Sequence, residues 1–412
     1  MIYVQGLFPT QRITGESDGF AFLKAAGYVK PVSAGCIALL PFGVLVMRNI
    51  IETIRRIATG YGFSEVALPL LQKRELWEES GRVNEYSGLL CETTIGDNKR
   101  YVINPTQEEA ILNLFRSSTF HVDDLPLRLF QIGERVRNEI RPAYGLVRLR
   151  CFILADFYAL CRNETEMEKE TQILEQIIMA IANWAELPVQ KAFHYSSTKD
   201  TPTYSYWIPS NSTIKSCIVT ICRECGISFR ADKPLTSCPS CGGHKLDLIE
   251  AIEIGHVVQV GKALSGAMSA VVPNTKTPVQ IVIGGIGLHR FLQLMAEHHR
   301  DKNGLTWLIR IAPYLVHVIA TSEREKEARD LYVTLKKAGY TVLLDLRARS
   351  LGWRLIDADL FGIPIRIVLG NRTSIGTFDV KERRTGIETK ADTKKLLDLI
   401  TELVQKEEEQ YK

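Results

Sequence analysis

The sequence predicts two domains in succession, an α+β domain built on an antiparallel sheet and a smaller α/β domain. The first prediction rests on residues 127–157, where two runs of alternating apolar residues flank a long loop rich in arginine. The second rests on the pattern after Pro313, where strands and helices alternate with short loops. A chain of 412 residues is also long for one domain. We therefore assign 1–312 to the first domain and 313–412 to the second.

The elements of the first domain follow from helical and strand periodicity. Val, Met and Ile recur against Arg and Glu at helical spacing over 44–59, and glycines then end this amphipathic helix. Pro105 and Thr106, followed by acidic residues, mark the start of another helix. The full set comprises helices at 44–59, 74–81, 106–117, 164–185 and 287–298, and strands at 66–71, 100–104, 248–260, 269–272 and 279–284. Residues 191–247 are predicted to form an irregular insert.

The second domain shows regular alternation of strands and helices. The predicted strands are 316–321, 341–345, 363–369 and 376–382, and the predicted helices are 323–338, 351–361 and 389–407. Short connections between such elements favour helices packed on a mostly parallel sheet.

Composition and charge exclude several classes of protein. The net charge of +4 is only mildly basic, so any RNA contact is expected to use local basic patches. The first ten residues lack the basic segment and long apolar core of a signal peptide. No run approaches the roughly 18 apolar residues of a membrane span. We expect a soluble, cytoplasmic chain with no membrane partner.

Four of the nine cysteines form two Cys-x-x-Cys pairs separated by twelve residues, at Cys222, Cys225, Cys238 and Cys241. Each pair is followed by a glycine, as in the two turns of a zinc ribbon that present four thiolates to one ion. Such a site is structural, because four thiolates leave no open coordination position. The alternative is a degenerate ribbon that has lost its metal or holds a redox disulfide.

Two distant arginine-bearing segments point to a nucleotide site. Arg137 and Glu139 end the first apolar run, and Arg290 lies in the segment 284–290 that opens a predicted helix. A strand can hold a guanidinium group rigidly enough to meet a phosphate and a carboxylate together. An Arg-x-Glu sequence alone is more often a solvated ion pair. The prediction of a nucleoside triphosphate site on an antiparallel sheet therefore depends on the second arginine-bearing segment, 284–290.

At these residues the chain resembles the class II aminoacyl-tRNA synthetases. The strand–loop–strand segment around Arg137 resembles their motif 2, segment 284–290 resembles motif 3, and 62–69 after the long helix resembles motif 1. Within that class the chain is similar to the prolyl-tRNA synthetase family. Segments similar to that family occur in its order at 39–43, 71–82, 104–111, 125–132, 138–142, 252–263 and 357–367. The resemblance implies a class II catalytic domain, with a zinc-ribbon insert at about 191–247, followed by an anticodon-binding domain.

The resemblance implies ATP-dependent activation of proline and its transfer to proline tRNA, with Mg²⁺ accompanying ATP and Zn²⁺ in the ribbon. Arg137 and Arg290 are then the catalytic residues: Arg137 clamps the carboxylate and the α-phosphate, and Arg290 covers one face of the adenine and contacts the γ-phosphate. The other ATP-binding candidates are Glu139, Arg148, Phe152 and Glu253. The proline-binding candidates are Thr106, Glu108, Arg137 and His256. The tRNA-binding candidates are Arg150, Arg347, Arg349, Trp353 and Arg354.

The chain departs from the family pattern at several positions. Cys151 stands where Glu is usual, Ala155 where Lys is usual, Leu149 where Gly is usual, and His289 where Ser is usual. The large editing insertion of many bacterial members is also absent between motifs 2 and 3. Two alternatives therefore stay open. One is a paralogue that activates an amino acid for a non-tRNA acceptor, and the other is a non-catalytic tRNA-binding relative.

The motif 1 segment also predicts a homodimer, because class II synthetases of this kind associate through that helix and strand. Apolar residues form one stripe of the helix, at Val44, Met47, Ile50, Ile51 and Ile54. A two-fold partner would bury such a stripe together with the edge strand that follows. The alternative is that the stripe packs on the chain's own sheet.

Overall fold

The computed structural model describes residues 10–13, 18–96, 98–118, 120–195, 202–210, 215–231, 234–371 and 373–411. Packing divides the chain into two units. The core unit consists of Pro31–Ile37 and Ile51–Leu292, and the terminal unit of Met1–Lys30, Ala38–Ile50 and Gln293–Lys412. The terminal unit thus includes the start of the chain as well as its C-terminal third. The domain border after residue 312 stays a prediction.

The helices are α1 Gly19–Ala25, α2 Pro41–Gly60, α3 Arg74–Glu79, α4 Glu108–Arg116, α5 Glu164–Trp184, α6 Ala263–Ala267, α7 Leu288–His298, α8 Glu325–Lys337, α9 Leu351–Phe361 and α10 Thr393–Tyr411. The strands up to residue 195 are β1 Val29–Ser33, β2 Cys36–Leu39, β3 Ser64–Glu65, β4 Leu71–Lys73, β5 Cys91–Ile95, β6 Lys99–Ile103, β7 Leu127–Val136, β8 Cys151–Cys161 and β9 Gln190–Tyr195. Those that follow are β10 Thr203–Pro209, β11 Cys217–Cys222, β12 Ser228–Ala231, β13 Leu246–Gly261, β14 Gln280–Gly287, β15 Val316–Ala320, β16 Val342–Asp345, β17 Ile365–Leu369, β18 Phe378–Glu382 and β19 Glu388–Ala391.

A long, mainly antiparallel sheet forms the centre of the core unit, as the sequence predicted. Its strand order is β10-β9-β12-β11-β13-β14-β8-β7-β3. Strands β7 and β8 pair along their whole length, from Leu127 opposite Leu160 to Val136 opposite Cys151. Helix α5 packs against β8, β13 and β14, and its apolar face is buried from Leu174 to Ile181. The arginine-rich loop therefore leaves the sheet between β7 and β8.

The segment 191–247 is not an irregular insert, and that prediction was wrong. Its strands join the main sheet, and because β10 also pairs with β13, strands β9 to β13 close into a small barrel. Trp207, Val219 and Ala251 lie buried inside it. The strands are short and separated by polar turns, so a single sequence shows too little periodicity to reveal them.

Two predicted strands of the core unit also differ from the structure. Over 66–71 only Leu71 belongs to a strand, because Pro69 cannot donate a ladder hydrogen bond. Segment 269–272 forms no strand, and Val271 makes a single bridge to Pro278. Ser269 has a φ of 53°, a left-handed conformation that interrupts an extended chain.

The terminal unit contains a five-stranded sheet in the order β16-β15-β17-β18-β19. The first three strands are parallel, and β18 and β19 extend the sheet in antiparallel fashion. The predicted α/β alternation is confirmed, but the start of the last helix at 389 was wrong. Residues 388–391 pair with β18, and the Asp392 carboxylate then accepts from the Lys395 N–H (2.9 Å) at the start of α10. Within the described ranges, no helix is long and apolar enough to span a membrane.

The apolar stripe on α2 is already buried within the single chain. Met47, Ile50 and Ile54 are 0–3% exposed, whereas Val44 is 42% exposed. The stripe therefore belongs to the protein's own core, which was the alternative to a dimer contact. A homodimer stays a prediction, and it needs a different surface, such as the exposed side of α2 or the short edge strand β3.

Candidate active site

Two adjoining cavities open on the sheet of the core unit, where β7, β8, β13 and β14 meet the start of α4. The larger measures about 780 Å³ and the smaller about 150 Å³. They share the side chains of Arg137, Leu154, Glu253 and His256. Of the predicted ATP and proline residues, the larger cavity adds Thr106 and Glu108, and the smaller adds Glu139, Arg148, Phe152 and Arg290. The structure thus brings together residues that lie up to 184 positions apart, from 106 to 290.

Arg137 lies directly after β7, between the two cavities. Its Nε donates to the Pro105 carbonyl (3.1 Å), and its guanidinium carbon lies 5.2 Å from the centroid of the Phe152 ring. Arg290, in the first turn of α7, donates from Nη1 to the Glu253 carbonyl (2.8 Å) and from Nε and Nη2 to the Val147 carbonyl (3.2 and 3.1 Å). Burial and the charges of Arg230 and Arg137 lower the pKa of Arg290 to about 10, so it stays charged at pH 7.

Both guanidinium groups are held by neutral carbonyl oxygens. Among the residues that the structure describes, no carboxylate pairs with either of them. Two fixed, uncompensated positive charges beside one small cavity attract an anion, and planar guanidinium groups suit phosphate and carboxylate oxygens. This pair is therefore an anion-binding arrangement, with the Phe152 ring beside it for a flat apolar group.

The arginine-rich loop folds back on Glu139. The Arg148 guanidinium pairs with the Glu139 carboxylate (2.8 Å), which also accepts from the Arg141 N–H (3.0 Å). Although burial alone would raise the pKa of Glu139, Arg148 and the Arg141 amide lower it. Arg150 donates to the carbonyls of Glu139 (2.9 Å) and Ala34 (3.1 Å). The Glu139 carboxylate therefore orients Arg148.

A buried pair of acids lies at the start of α4, and one of them, Glu108, lines the larger cavity. Arg82 lies 3.4 Å from a Glu108 oxygen and 3.0 Å from a Glu109 oxygen. Burial opposes ionisation of both, but Arg82 and the Thr106 hydroxyl lower the pKa of Glu108. For Glu109 burial and the nearby Glu108 charge dominate, and its pKa rises to about 7. Glu108 is thus an ionised acceptor on the cavity wall.

Glu253 and His256 form the opposite wall, on β13. The Glu253 carboxylate pairs with Arg230 and accepts from the Ser205 hydroxyl (2.8 Å). His256 Nδ1 lies 3.9 Å from the other Glu253 oxygen, and burial together with Arg230 and Arg137 lowers the pKa of His256 to about 4. His256 is therefore neutral at pH 7. A Cβ at Gly285 would lie 3.2 Å from the His256 ring, so the facing glycine makes room for it.

Sequence reasoning missed several charged residues of this site. Arg82 ends a segment that was singled out, Arg230 lies in the segment taken as an irregular insert, and Asp156 lies on β8. Asp156 pairs with the fully buried Arg135 (Nε to Oδ2, 3.0 Å) beneath the cavity. The alternating pattern of β7 and β8 could have shown that Arg135 and Asp156 sit on the same face. No local signal marks Arg230.

Some departures from the family pattern have structural explanations. His289, where a serine is usual, is buried, and its Nδ1 accepts from the Ile153 N–H of β8 (3.1 Å). Burial lowers the pKa of His289 to about 4, so the ring is neutral. Leu149 is buried in the loop core and Ala155 is buried opposite Ile286. The structure gives no explanation for Cys151.

The four cysteines of the two Cys-x-x-Cys pairs converge. Their sulfur atoms all lie within 4.8 Å of one another, with Cys222 and Cys241 at 3.7 Å and Cys225 and Cys238 at 3.6 Å. A tetrahedral zinc ion with Zn–S bonds of about 2.3 Å separates its sulfurs by about 3.8 Å. The donor set and its spacing therefore fit a metal ion of this kind.

The tRNA-binding candidates of the terminal unit divide into two pairs. Arg347 is buried and pairs with Asp345 (2.7 Å) and Asp357 (2.6 Å), and the buried Arg354 donates to the Asp345 carbonyl (3.0 Å). These contacts favour a structural role for both. Arg349 is exposed, and its guanidinium lies 5.5 Å from the Trp353 ring, which is 37% exposed. Arg349 and Trp353 stay candidates for base stacking.

Two family models match parts of this chain. Residues 91–299 match the family model for the tRNA synthetase class II core domain (G, H, P, S and T), and residues 315–403 match that for an anticodon binding domain. The chain is 26% identical to the proline–tRNA ligase of Sulfurimonas denitrificans over 93% of its own length and 94% of that protein. For the proline–tRNA ligase of Listeria welshimeri the identity is 25%, over 92% and 94% of the two chains.

Among solved structures, the fold resembles that of prolyl-tRNA synthetase from Cryptosporidium parvum, crystallised with L-proline and AMP. The TM-score is 0.72, with 18% sequence identity over 95% of this chain and 78% of that one. At this identity the likeness establishes the fold alone. The alignment with the Listeria welshimeri protein runs over 537 positions, so that relative carries residues that this 412-residue chain lacks.

Proposed function

Since this chain belongs to the class II tRNA synthetases, we propose that it activates proline with ATP and transfers the prolyl group to tRNA. The observation that carries the proposal is the pair of uncompensated guanidinium groups, Arg137 and Arg290, beside a cavity that contains the ionised Glu108. Similarity to proline–tRNA ligases over nearly the whole chain supports proline as the amino acid. The predicted ATP- and proline-binding residues gain support from their convergence on the two cavities.

In the first step the proline carboxylate attacks the α-phosphorus of ATP, and pyrophosphate leaves. Two anions must approach each other, so the site must hold both and neutralise the charge that builds on the phosphoryl oxygens. Arg137 is the group positioned between the two cavities for this task. Phe152 supplies a face for adenine, and Arg290 the opposite face. Arg148, oriented by Glu139, extends toward the outer phosphates.

Proline recognition falls to the wall built by Thr106 and Glu108. A secondary ammonium group has two N–H donors, and the ionised Glu108 carboxylate accepts them while forming an ion pair. Neutral His256 lines the same cavity without adding a positive charge that would repel the ammonium. In the second step a terminal tRNA hydroxyl attacks the prolyl carbonyl, and AMP leaves. Arg150, at the base of the arginine-rich loop, is proposed to contact the acceptor end.

Two metal ions belong to the proposal. Mg²⁺ would bind together with ATP, because phosphate oxygens and water molecules usually supply most of its ligands in such sites. Glu253 is a weaker candidate ligand for it, because Arg230 already balances its charge and both Arg230 and Ser205 contact its Oε2. Zn²⁺ would be held by Cys222, Cys225, Cys238 and Cys241, where it stabilises the fold of the ribbon. We further propose a cytoplasmic homodimer, in which Arg349 and Trp353 contact the anticodon.

The proposal is tested by exchange of labelled pyrophosphate into ATP, with a panel of amino acids that includes proline, alanine and cysteine. We expect exchange with proline only. Arg137→Ala should reduce it by about 100-fold or more, the loss typical of an electrostatic stabiliser of a transition state. Arg141→Ala, a change of an exposed arginine in the same loop, is the matched control and should leave exchange within about twofold.

Assays of tRNA charging and tRNA binding, run beside the exchange panel, separate the alternatives. Exchange with proline but no charging of tRNA would identify a paralogue that serves another acceptor. Binding of tRNA without exchange for any amino acid would identify a non-catalytic relative. Either result would refute the proposed function.

A further inference from the structure

One wall of the larger cavity is contributed by the cysteine ribbon. Cys222 ends β11, the first cysteine turn follows, and β12 begins at Ser228. Arg230 lies on β12, where it pairs with Val219 of β11 and with His194 of β9. Its side chain reaches the larger cavity, next to Glu253 and His256. A residue five positions from a cysteine ligand therefore lines the candidate active site.

Arg230 is the charge that balances Glu253. Its guanidinium pairs with the Glu253 carboxylate, and it also donates to the Ser205 hydroxyl (3.3 Å). Glu253 itself is only 8% exposed. A buried carboxylate that loses its cationic partner is strongly destabilised, and its negative charge would also repel the phosphates and carboxylate of the substrates.

Glu253 in turn is tied to Arg290. The Glu253 carbonyl accepts from Arg290 Nη1 (2.8 Å), while its N–H donates to the Ser216 hydroxyl (2.8 Å), one residue before β11. Strand β13 also runs without a break from the ribbon, where Leu246 pairs with Cys222, to the site at Glu253 and His256. Side chains and backbone thus connect the cysteine cluster with the guanidinium proposed to bind ATP.

We propose that Arg230 is a positioning residue through which the metal-loaded ribbon sets the affinity of the active site for its anionic substrate. The cysteine cluster fixes the hairpin of β11 and β12, the hairpin fixes Arg230, and Arg230 holds and neutralises Glu253 beside Arg290. This inference rests on the proposed function for the identity of ATP. The ribbon is then more than a stabilising insert, because loss of its metal ion changes substrate binding.

The test measures the Kd for ATP by equilibrium binding to the full-length protein, as purified with zinc and after removal of zinc by a chelator. Metal content and circular dichroism are recorded for every sample. The variants are Arg230→Ala, Arg230→Lys and, as a matched control, Arg223→Ala. Arg223 lies in the same ribbon and pairs with Asp247 at the surface, outside both cavities.

With zinc bound, Arg230→Ala should weaken ATP binding about tenfold, and Arg230→Lys should recover part of that loss because it keeps the charge. Arg223→Ala should bind within twofold of wild type. Removal of zinc should weaken ATP binding to wild type by a similar factor, and it should have little further effect on Arg230→Ala. Such non-additivity is expected when both changes act through one contact.

Three results would overturn the inference. The first is that Arg230→Ala binds ATP as tightly as wild type does. The second is that removal of zinc weakens ATP binding to Arg230→Ala by the same factor as it does for wild type. The third is that the purified protein holds no metal and its Kd for ATP does not respond to zinc. Failure of the proposed function is a separate outcome. If ATP binds but proline produces no pyrophosphate exchange, the assignment of proline fails. The Kd values for ATP of wild type and Arg230→Ala, with and without zinc, still test the role of Arg230 in that case.

Discussion

Two adjacent glutamates at the start of α4 contact the same arginine but differ in pKa, and of the two only Glu108 lines the larger cavity. Glu108 and Glu109 both contact Arg82, but the Thr106 hydroxyl favours the charged form of Glu108 only. Like charges this close are costly in a buried site, so one carboxylate takes the charge and the other tends to keep its proton. Glu108 is then an ionised acceptor on the cavity wall, and the proposed function assigns the ammonium group of proline to it. Arg82 is therefore needed to keep Glu108 ionised.

This arrangement predicts a pH dependence of stability. The pKa of Glu109 is raised from 4.5 to about 7, so the folded chain binds more protons than the unfolded chain between these values. Stability contributed by Glu109 is therefore present below about pH 4.5 and is lost as the pH rises through about 7. Glu109→Gln removes the titrating group and should flatten the fall in thermal midpoint between pH 5 and 8. Equal slopes for the variant and wild type would contradict this assignment.

The matched control for that measurement is Glu75→Gln. Glu75 is an exposed acid in the first turn of α3, and its replacement should leave the slope of the thermal midpoint against pH unchanged. Glu109→Gln should also preserve most proline-dependent exchange at pH 7, because amide and protonated carboxyl groups both lack charge. A large loss of exchange would show that Glu109 acts in its ionised form.

At the scale of single elements, strand β13 organises the site. Its first half pairs with β11 of the ribbon, and its second half pairs with β14 of the main sheet. One strand of 16 residues thus carries both the ribbon and the Glu253 and His256 side chains of the cavity. Such a long strand is possible because buried apolar residues from Ala251 to Val257 hold its central part in the core. The insert is therefore built into the catalytic sheet.

Helix α2 gives a test of where its apolar stripe is buried. Ile50 is fully buried, so Ile50→Asp places an uncompensated charge in the core and should unfold the protein or lower its thermal midpoint severely. Val44→Asp, at an exposed position of the same helix, should leave the thermal midpoint within a few degrees. Circular dichroism melting of both variants decides between core and surface.

Light scattering on the same samples bears on the proposed homodimer. If Ile50→Asp gives a folded monomer while wild type is a dimer, the stripe is an interface and its assignment to the core is refuted. If Val44→Asp alone dissociates the dimer, the exposed side of α2 is the interface.

At the scale of the whole molecule, the terminal unit is expected to bind the anticodon end of tRNA. Arg349→Ala should weaken binding of tRNA, measured as the Kd at a fixed salt concentration, because it removes a guanidinium plane that can stack on an anticodon base. Arg329→Ala is the control, because Arg329 is an exposed arginine on α8 that already pairs with Glu325. Equal effects of the two variants would remove Arg349 from the tRNA interface.

The large-scale organisation could be predicted from the sequence because periodicity and ordered motifs extend over long segments. Arg137 and Arg290 could be named as candidates because each lies in a motif-like segment at the end of a predicted strand or the start of a predicted helix. Arg82 and Arg230 were not, since their partners Glu108 and Glu253 are 26 and 23 positions away. The sequence also did not show which basic residues of the second domain are buried. Arg347 and Arg354 have the sequence character of an exposed basic loop, yet Asp345 and Asp357 hold Arg347 inside the domain.

Attachment of proline to tRNA is the activity proposed for this chain. The most direct measurement incubates the purified protein with ATP, total tRNA and all twenty amino acids, and identifies by mass spectrometry the amino acid esterified to tRNA. We expect prolyl-tRNA, in an amount that Arg137→Ala reduces about 100-fold or more. Attachment of a different amino acid, or formation of prolyl adenylate without any charged tRNA, would contradict it.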